Sequence, residues 1–242
     1  MRKDYTHVCV VLDASGSMEV ICNDVKGSFN TFLETQRSAP GKTVFDLFQF
    51  ATRTERIVKS VDLSSFEEDL MAKYHCYGGT AMNDAICTAI DTLGREFAAM
   101  PEEERPAHVL FAIITDGEEN SSEMFTLEDV KERITHQKDV YQWEFAFMAA
   151  NLDAFQAGAE LGISASDCVA YSMDSESFQN VTIKLSSRLN ACRDFDLFGT
   201  GDGNDIDDDI DVLDIDDLDI DDLDIDAEEE KAPASKTKKK KA

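Results

Sequence analysis

The chain has 242 residues, and its 50 acidic against 23 basic side chains give a formal charge of −27. Affinity for nucleic-acid phosphates comes from clustered lysine and arginine, so this balance excludes a free nucleic-acid binder. The acidity is also uneven: residues 199–242 hold 17 acids and six lysines, net −11, which leaves 33 acids and 17 bases, net −16, for residues 1–198. Two objects are expected, a globular body over 1–194 and a disordered acidic tail over 195–242.

Val8 to Leu12 is a continuous apolar, β-branched run, the pattern of a strand buried on both faces of a parallel sheet. It stops at Asp13-Ala14-Ser15-Gly16-Ser17, and Val20 to Leu33 then carries helical spacing. Thr43 to Phe50 and Thr54 to Val61 read as two strands joined by Ala51-Thr52-Arg53, an edge hairpin. Ser64 to Met71 reads as a short helix, with Glu67 three residues after Ser64 as a capping box. Gly78-Gly79-Thr80 precedes a helix from Ala81 to about Ala98, with Ala85, Ile86, Ala89, Ile90 and Leu93 on one face.

His108 to Thr115 is the second strongly apolar strand and ends in Asp116-Gly117. Thr126 to Gln137 is expected to be helical, Tyr141 to Ala149 a strand, Leu152 to Leu161 a helix, Cys168 to Ser172 a strand, and Ser175 to about Ala191 the last helix. Trp143, Phe145 and Phe147 alternate along their strand as core residues. Strands alternating with helices imply an α/β fold, a doubly wound, mostly parallel sheet with helices on both faces and one antiparallel edge hairpin.

The run before Asp13 is too short for a signal peptide, and no stretch approaches the roughly 20 apolar residues of a membrane span. The six cysteines, Cys9, Cys22, Cys76, Cys87, Cys168 and Cys192, include no C-x-x-C pair. They read as reduced thiols of a cytoplasmic protein, with a disulfide or zinc framework as the alternative.

In open α/β sheets ligands sit beyond the carboxyl ends of the strands, near the point where strand order reverses. Asp13, Ser15, Ser17, Thr80 and Asp116 fall at such ends or at loops entering helices. They offer two carboxylates and three hydroxyls, an oxygen-only set that suits a hard cation such as Mg2+. Ser17 and Thr80 have a plainer alternative as helix N-caps. Glu118, Glu119 and Asn120 either rim such a site or form a solvated acidic loop, and His75 is the one histidine placed to border it.

Asp13-x-Ser15-x-Ser17, Thr80 after a glycine pair, and Thr115-Asp116-Gly117 together resemble the metal-ion-dependent adhesion site of the von Willebrand factor type A domain family, over roughly residues 5–190. The segments Leu12 to Met18 and Ile114 to Asn120 resemble its intracellular prokaryotic or phage members. The resemblance implies a Mg2+ or Mn2+ ion held directly by Ser15, Ser17 and Thr80, and through water by Asp13 and Asp116. It further implies a non-enzymatic protein-interaction module, in which an Asp or Glu of a protein partner completes the coordination. The competing reading is a Mg2+-dependent phosphohydrolase with Asp13 as nucleophile. Against it, position 15 is Ser rather than Asp, and no Lys or Arg stands in the three loops.

From Ile210 the tail repeats a five-residue unit, Ile-Asp-Asp-Leu-Asp in its regular copies, before a cluster from Lys236 to Lys241. The apolar spacing fits neither strand nor helix. The tail is expected to bind a basic partner, to solubilise, or to place one of its own aspartates at the metal.

Overall fold

The computed structural model describes residues 1–150 and 153–197. The expected acidic tail lies outside the described residues, apart from its first three positions. β1 (Arg2–Asp13) is the centre of a six-stranded sheet because its residues are apolar in both directions. Val8, Val10 and Leu12 enter one core while Cys9 and Val11 enter the other. Parallel partners flank it: β2 (Lys42–Phe50) on one side and β4 (Pro106–Thr115) on the other. β3 (Thr54–Asp62) returns antiparallel along β2 at the edge. β5 (Glu144–Ala150) and β6 (Cys168–Tyr171) extend the sheet beyond β4, giving the order β3-β2-β1-β4-β5-β6. The expected α/β sheet with its single edge hairpin is therefore the fold.

On one face α1 (Cys22–Arg37) and α5 (Ser175–Leu197) pack together, with Phe29, Phe32, Phe178 and Leu185 in a shared core. The other face is covered by α2 (Met82–Ala99), α3 (Leu127–Tyr141) and α4 (Ala154–Glu160), through Ile86, Ile90, Leu93, Val130, Ile134 and Ala154. Trp143, Phe145 and Phe147 are buried in that second core, as their alternation indicates.

Three local expectations change. Residues 64–71 form turns rather than a helix. Asp62 captures both the backbone N–H and the hydroxyl of Ser64, so the serine that would cap a helix closes an Asx turn instead. The helical spacing from Val20 begins in a 3₁₀ turn, Gly16–Ile21, before α1. α3 runs on to Tyr141, where the sequence pattern starts a strand, and stops when Gln142 enters the left-handed region.

A buried polar group crosses the β1–β2 edge. Asp46, fully buried, accepts from Arg56 Nε at 2.5 Å, and its other oxygen lies 2.8 Å from His7 Nε2. His7 Nδ1 in turn meets the Tyr5 hydroxyl at 3.1 Å, and Arg56 also donates twice to Glu96. A buried carboxylate is tolerated because each oxygen has a charged or polar partner.

Candidate metal centre

Strand order reverses between β1 and β4, so the loops leaving these strands diverge and open a crevice at their carboxyl ends. Asp13 is the last residue of β1 and Thr115 the last of β4, neighbours because Leu12 pairs with Ile114. Asp13 is completely buried. Its Oδ1 accepts from Ser15 N at 2.7 Å and its Oδ2 from the Thr115 hydroxyl at 2.6 Å. Burial pushes the Asp13 carboxyl up, while the bonds from Thr115 and Ser15 pull in the opposite direction without cancelling it.

Asp116 follows on the β4 loop and turns its carboxylate to the β1 loop. Its Oδ1 accepts from Ser17 Oγ at 2.9 Å and from Ser15 Oγ at 3.4 Å, and the two hydroxyl oxygens are 3.0 Å apart. Three oxygens from two loops thus form a small triangle. Neighbouring ligands on an octahedral Mg2+ at its usual bond length are about 2.9 Å apart. The two serine hydroxyl oxygens have nearly that spacing, with the Asp116 carboxylate behind them, and the donors are all oxygen, so the residues fit a small hard cation.

The third loop is docked by main-chain bonds. Gly16 N donates to Gly78 O at 3.1 Å, and Asn120 N donates to Thr80 O at 3.0 Å. The Asn120 side-chain oxygen accepts from Thr80 N at 3.0 Å, clamping that residue from both ends. Thr52 on the β2–β3 turn accepts from Gly79 N at 3.0 Å. Gly78 has φ +65, and a Cβ there would run into the Thr52 hydroxyl. At Gly79 a Cβ would strike Ser121 and Asn120. Both glycines are required by this close approach.

Helix capping does not account for the hydroxyls. The N-cap position of α2 is Ala81 with no side-chain bond, and Ser15 at the head of the 3₁₀ turn makes none either. Asp13, Ser15, Thr80 and Asp116 are buried, whereas Ser17 is exposed. The cluster is therefore open to solvent on the Ser17 side.

Of the expected rim, Glu118 is exposed, but Glu119 is committed to the loop itself. Its carboxylate accepts from Asn83 N, Ser121 N, Ser122 N and the Ser122 hydroxyl at 2.7–2.8 Å. Asp84 on α2 likewise collects the N–H groups of Glu123, Met124 and Phe125. His75 is exposed, stacked on Tyr77, with Nδ1 at Lys73 O, an ordinary loop side chain. Sequence reading placed Thr115 in the motif and Asn120 on the rim without their positioning roles, and missed Thr52 and Tyr74 altogether; Tyr74 donates its hydroxyl to Asp13 O at 2.6 Å. The signals were a hydroxyl adjoining Asp116 at a strand end for Thr115 and a place on the same loop for Asn120; Thr52 and Tyr74 carried none.

These features define a Rossmann-like α/β domain with a hydroxyl and carboxylate oxygen cluster at the switch point of its sheet. The von Willebrand factor type A domain profile matches residues 7–184, and the chain belongs to this family, whose domains are protein-interaction modules, often metal-dependent. Solved structures share the fold at low identity. Proximal thread matrix protein 1 from the mussel byssus, with a zinc-occupied MIDAS motif, superposes with a TM-score of 0.54 at 14% identity, over 78% of this chain and 46% of that one. A von Willebrand factor type A protein from Catenulispora acidiphila gives 0.54 at 14%, over 75% and 42%. The vWF domain of the type V pili tip protein Mfa5 from Porphyromonas gingivalis gives 0.55 at 8%, over 82% and 98%. The chain thus spans less than half the length of the mussel and Catenulispora chains. No curated protein matches it in sequence. Among the described residues, no helix is long and apolar enough to cross a membrane.

Proposed function

We propose that Ser15, Ser17 and Thr80, with Asp13 and Asp116 behind them, hold a Mg2+ or Mn2+ ion, and that an Asp or Glu of a protein partner completes its coordination. The observation that carries this reading is the convergence of the Ser15 and Ser17 hydroxyls in front of the Asp116 carboxylate, their oxygens 3.0 Å apart, about the spacing of neighbouring ligands on a hexacoordinate ion. When bound, the ion supplies an electrophilic point of attachment for a carboxylate. Ser15, Ser17 and Thr80 are neutral donors and would leave most of its charge for the incoming group. Asp13 is held in one orientation by Ser15 N and Thr115, and Asp116 by the two serine hydroxyls. Exposed Ser17 leaves a path for the partner, and a shallow cavity of about 440 Å3 lined by Met82, Asn83, Glu118, Asp153 and Gln156 offers neighbouring surface for it.

Enzymatic use of Asp13 is less well supported. A nucleophile needs a free oxygen facing its substrate, and Asp13 is fully buried with both oxygens engaged. A cytoplasmic setting belongs to this reading and is supported by the six free thiols.

Calorimetric titration with Mg2+ and Mn2+ tests the site directly. Wild type should bind one ion, with loss in Thr80→Ala and Asp116→Ala variants that keep the wild-type circular dichroism spectrum. Pulldown with and without chelator then tests the partner, and capture that ignores both chelator and Thr80→Ala would overturn the adhesive role.

A further inference from the structure

We infer that Glu19, Cys22 and Cys76 form a second metal site, for a thiophilic divalent ion such as Zn2+, joining the loop of Ser17 to the loop of Gly78. One ligand atom from each of these three residues lies within 4.8 Å of the other two, the only such group of His, Cys, Asp and Glu side chains among the described residues. Glu19 sits on the 3₁₀ turn that also carries Ser17, Cys22 is the first residue of α1, and Cys76 lies two residues before Gly78. The three ligands thus come from two segments more than 50 residues apart in sequence, Glu19 and Cys22 on one and Cys76 on the other.

The donor set decides the class of ion. Two sulfurs and one carboxylate favour Zn2+ and its soft relatives over Mg2+, which takes oxygen. This separates the site chemically from the oxygen cluster beside it. The edge of a tetrahedron around zinc, at its usual bond length to sulfur, is about 3.8 Å. The three side chains therefore need to close by at most about 1 Å, which rotation of exposed Glu19 and the two half-buried cysteines can supply. Cys9, Cys87, Cys168 and Cys192 are buried, so Cys22 and Cys76 are the thiols a metal can reach from solvent. Three protein ligands leave a fourth position for water.

The surroundings already fix the sulfur side. Cys76 Sγ donates to the Tyr74 hydroxyl at 3.7 Å, and Tyr77 N donates to Ala14 O at 2.7 Å, so the Cys76 segment is held against the end of β1. Burial and the neighbouring Cys22 push the Cys76 thiol up to about 12, so at neutral pH it is protonated. Each thiol that binds exchanges its S–H bond for a metal–sulfur bond and releases its proton to solvent. A bound ion would cross-link the two loops that carry Ser17 and Thr80, and it does so whether or not Mg2+ occupies the neighbouring cluster.

The test is titration of the reduced full-length chain with Cd2+ in a large excess of Mg2+, read by the thiolate-to-metal charge-transfer absorption in the ultraviolet. One equivalent should give the band, Cys22→Ser and Cys76→Ser should each abolish it, and Glu19→Gln should weaken binding by at least about tenfold. Asp116→Ala should keep the band, which distinguishes this site from the oxygen cluster. Independently of any variant, Zn2+ should protect Cys22 and Cys76 of the wild type from alkylation, read by peptide mass mapping. No charge-transfer band in the wild type, a band that survives both serine substitutions, or equal alkylation with and without Zn2+ would each overturn the inference.

Discussion

The Thr115 hydroxyl donates to Asp13 Oδ2 at 2.6 Å, linking the last residues of the two strands where sheet order reverses. Asp13 has no solvent to orient it, so its direction toward the cluster depends on this bond and on Ser15 N. Thr115→Val keeps the shape and removes the donor. Affinity for Mg2+ should fall by about tenfold or more, as for other residues that orient metal ligands, and Thr115→Ser should recover it. Isothermal titration of the three proteins checks this, and equal affinities would remove Thr115 from the positioning role.

Asp13 is expected to trade stability for function. Burial raises its carboxyl above the unfolded value, so the charged form costs the native state stability at neutral pH. For a raised carboxyl the sign is that stability grows as pH falls between the folded and unfolded values. D13N removes the charge, and its amide can still accept from Ser15 N and bond Thr115. In chelator its Tm should be at or above wild type, while the Mg2+-induced rise in Tm disappears. A lower Tm in chelator would show the carboxylate to be structurally required.

The buried Asp46 group predicts acid sensitivity of the opposite sign. Burial alone would raise this carboxyl, but hydrogen bonds from His7 and Arg56 hold it below its ordinary value. Its contribution is therefore complete above the unfolded value, near pH 4, and is lost as pH falls through the lower folded value. Asp46→Asn should cost about 1–3 kcal/mol at neutral pH, because it takes one of two carboxylates from Arg56, which keeps Glu96, and leaves a buried hydrogen-bond group one acceptor short. Urea denaturation at pH 7 and pH 3 should show that penalty shrinking at the lower pH.

Two glycines should respond in opposite directions to alanine. Gly78→Ala meets a left-handed backbone and the Thr52 hydroxyl, so it should destabilise the fold by about 1–2 kcal/mol and weaken Mg2+ binding. Gly27, exposed in the middle of α1, has nothing within 4 Å of a new Cβ. There alanine should stabilise by about 0.5–1 kcal/mol and leave binding unchanged. Thermal melts with and without Mg2+ separate the two effects.

The five proposed ligands were legible because each interrupts or follows a strong apolar pattern. Asp13 ends a β-branched run, Asp116 follows another, and Thr80 sits between a glycine pair and an amphipathic helix. The fold class was legible from the same alternation. What pattern could not reveal were long-range partners without periodicity: Asn120 with Thr80, Thr52 with Gly79, Glu119 with Asn83, and Asp46 with His7. Ser64 misled because a serine can serve a helix cap or an Asx turn, and Asp62, two residues earlier, decides between them.

The main-chain bonds from Gly16 to Gly78, from Asn120 to Thr80 and from Ala81 to Ala51 join the three loops through peptide groups, and the side chains that add to them, Asn120, Thr52 and Glu119, are distinct from the outermost exposed positions. Peptide hydrogen bonding is indifferent to the side chains carried on it. Exposed positions among the proposed ligands, such as Val20 and Glu118, can therefore be rewritten without displacing Ser15, Thr80 or Asp116. Selection for a new partner can act on that outer surface while the ion-sized geometry beneath is inherited intact.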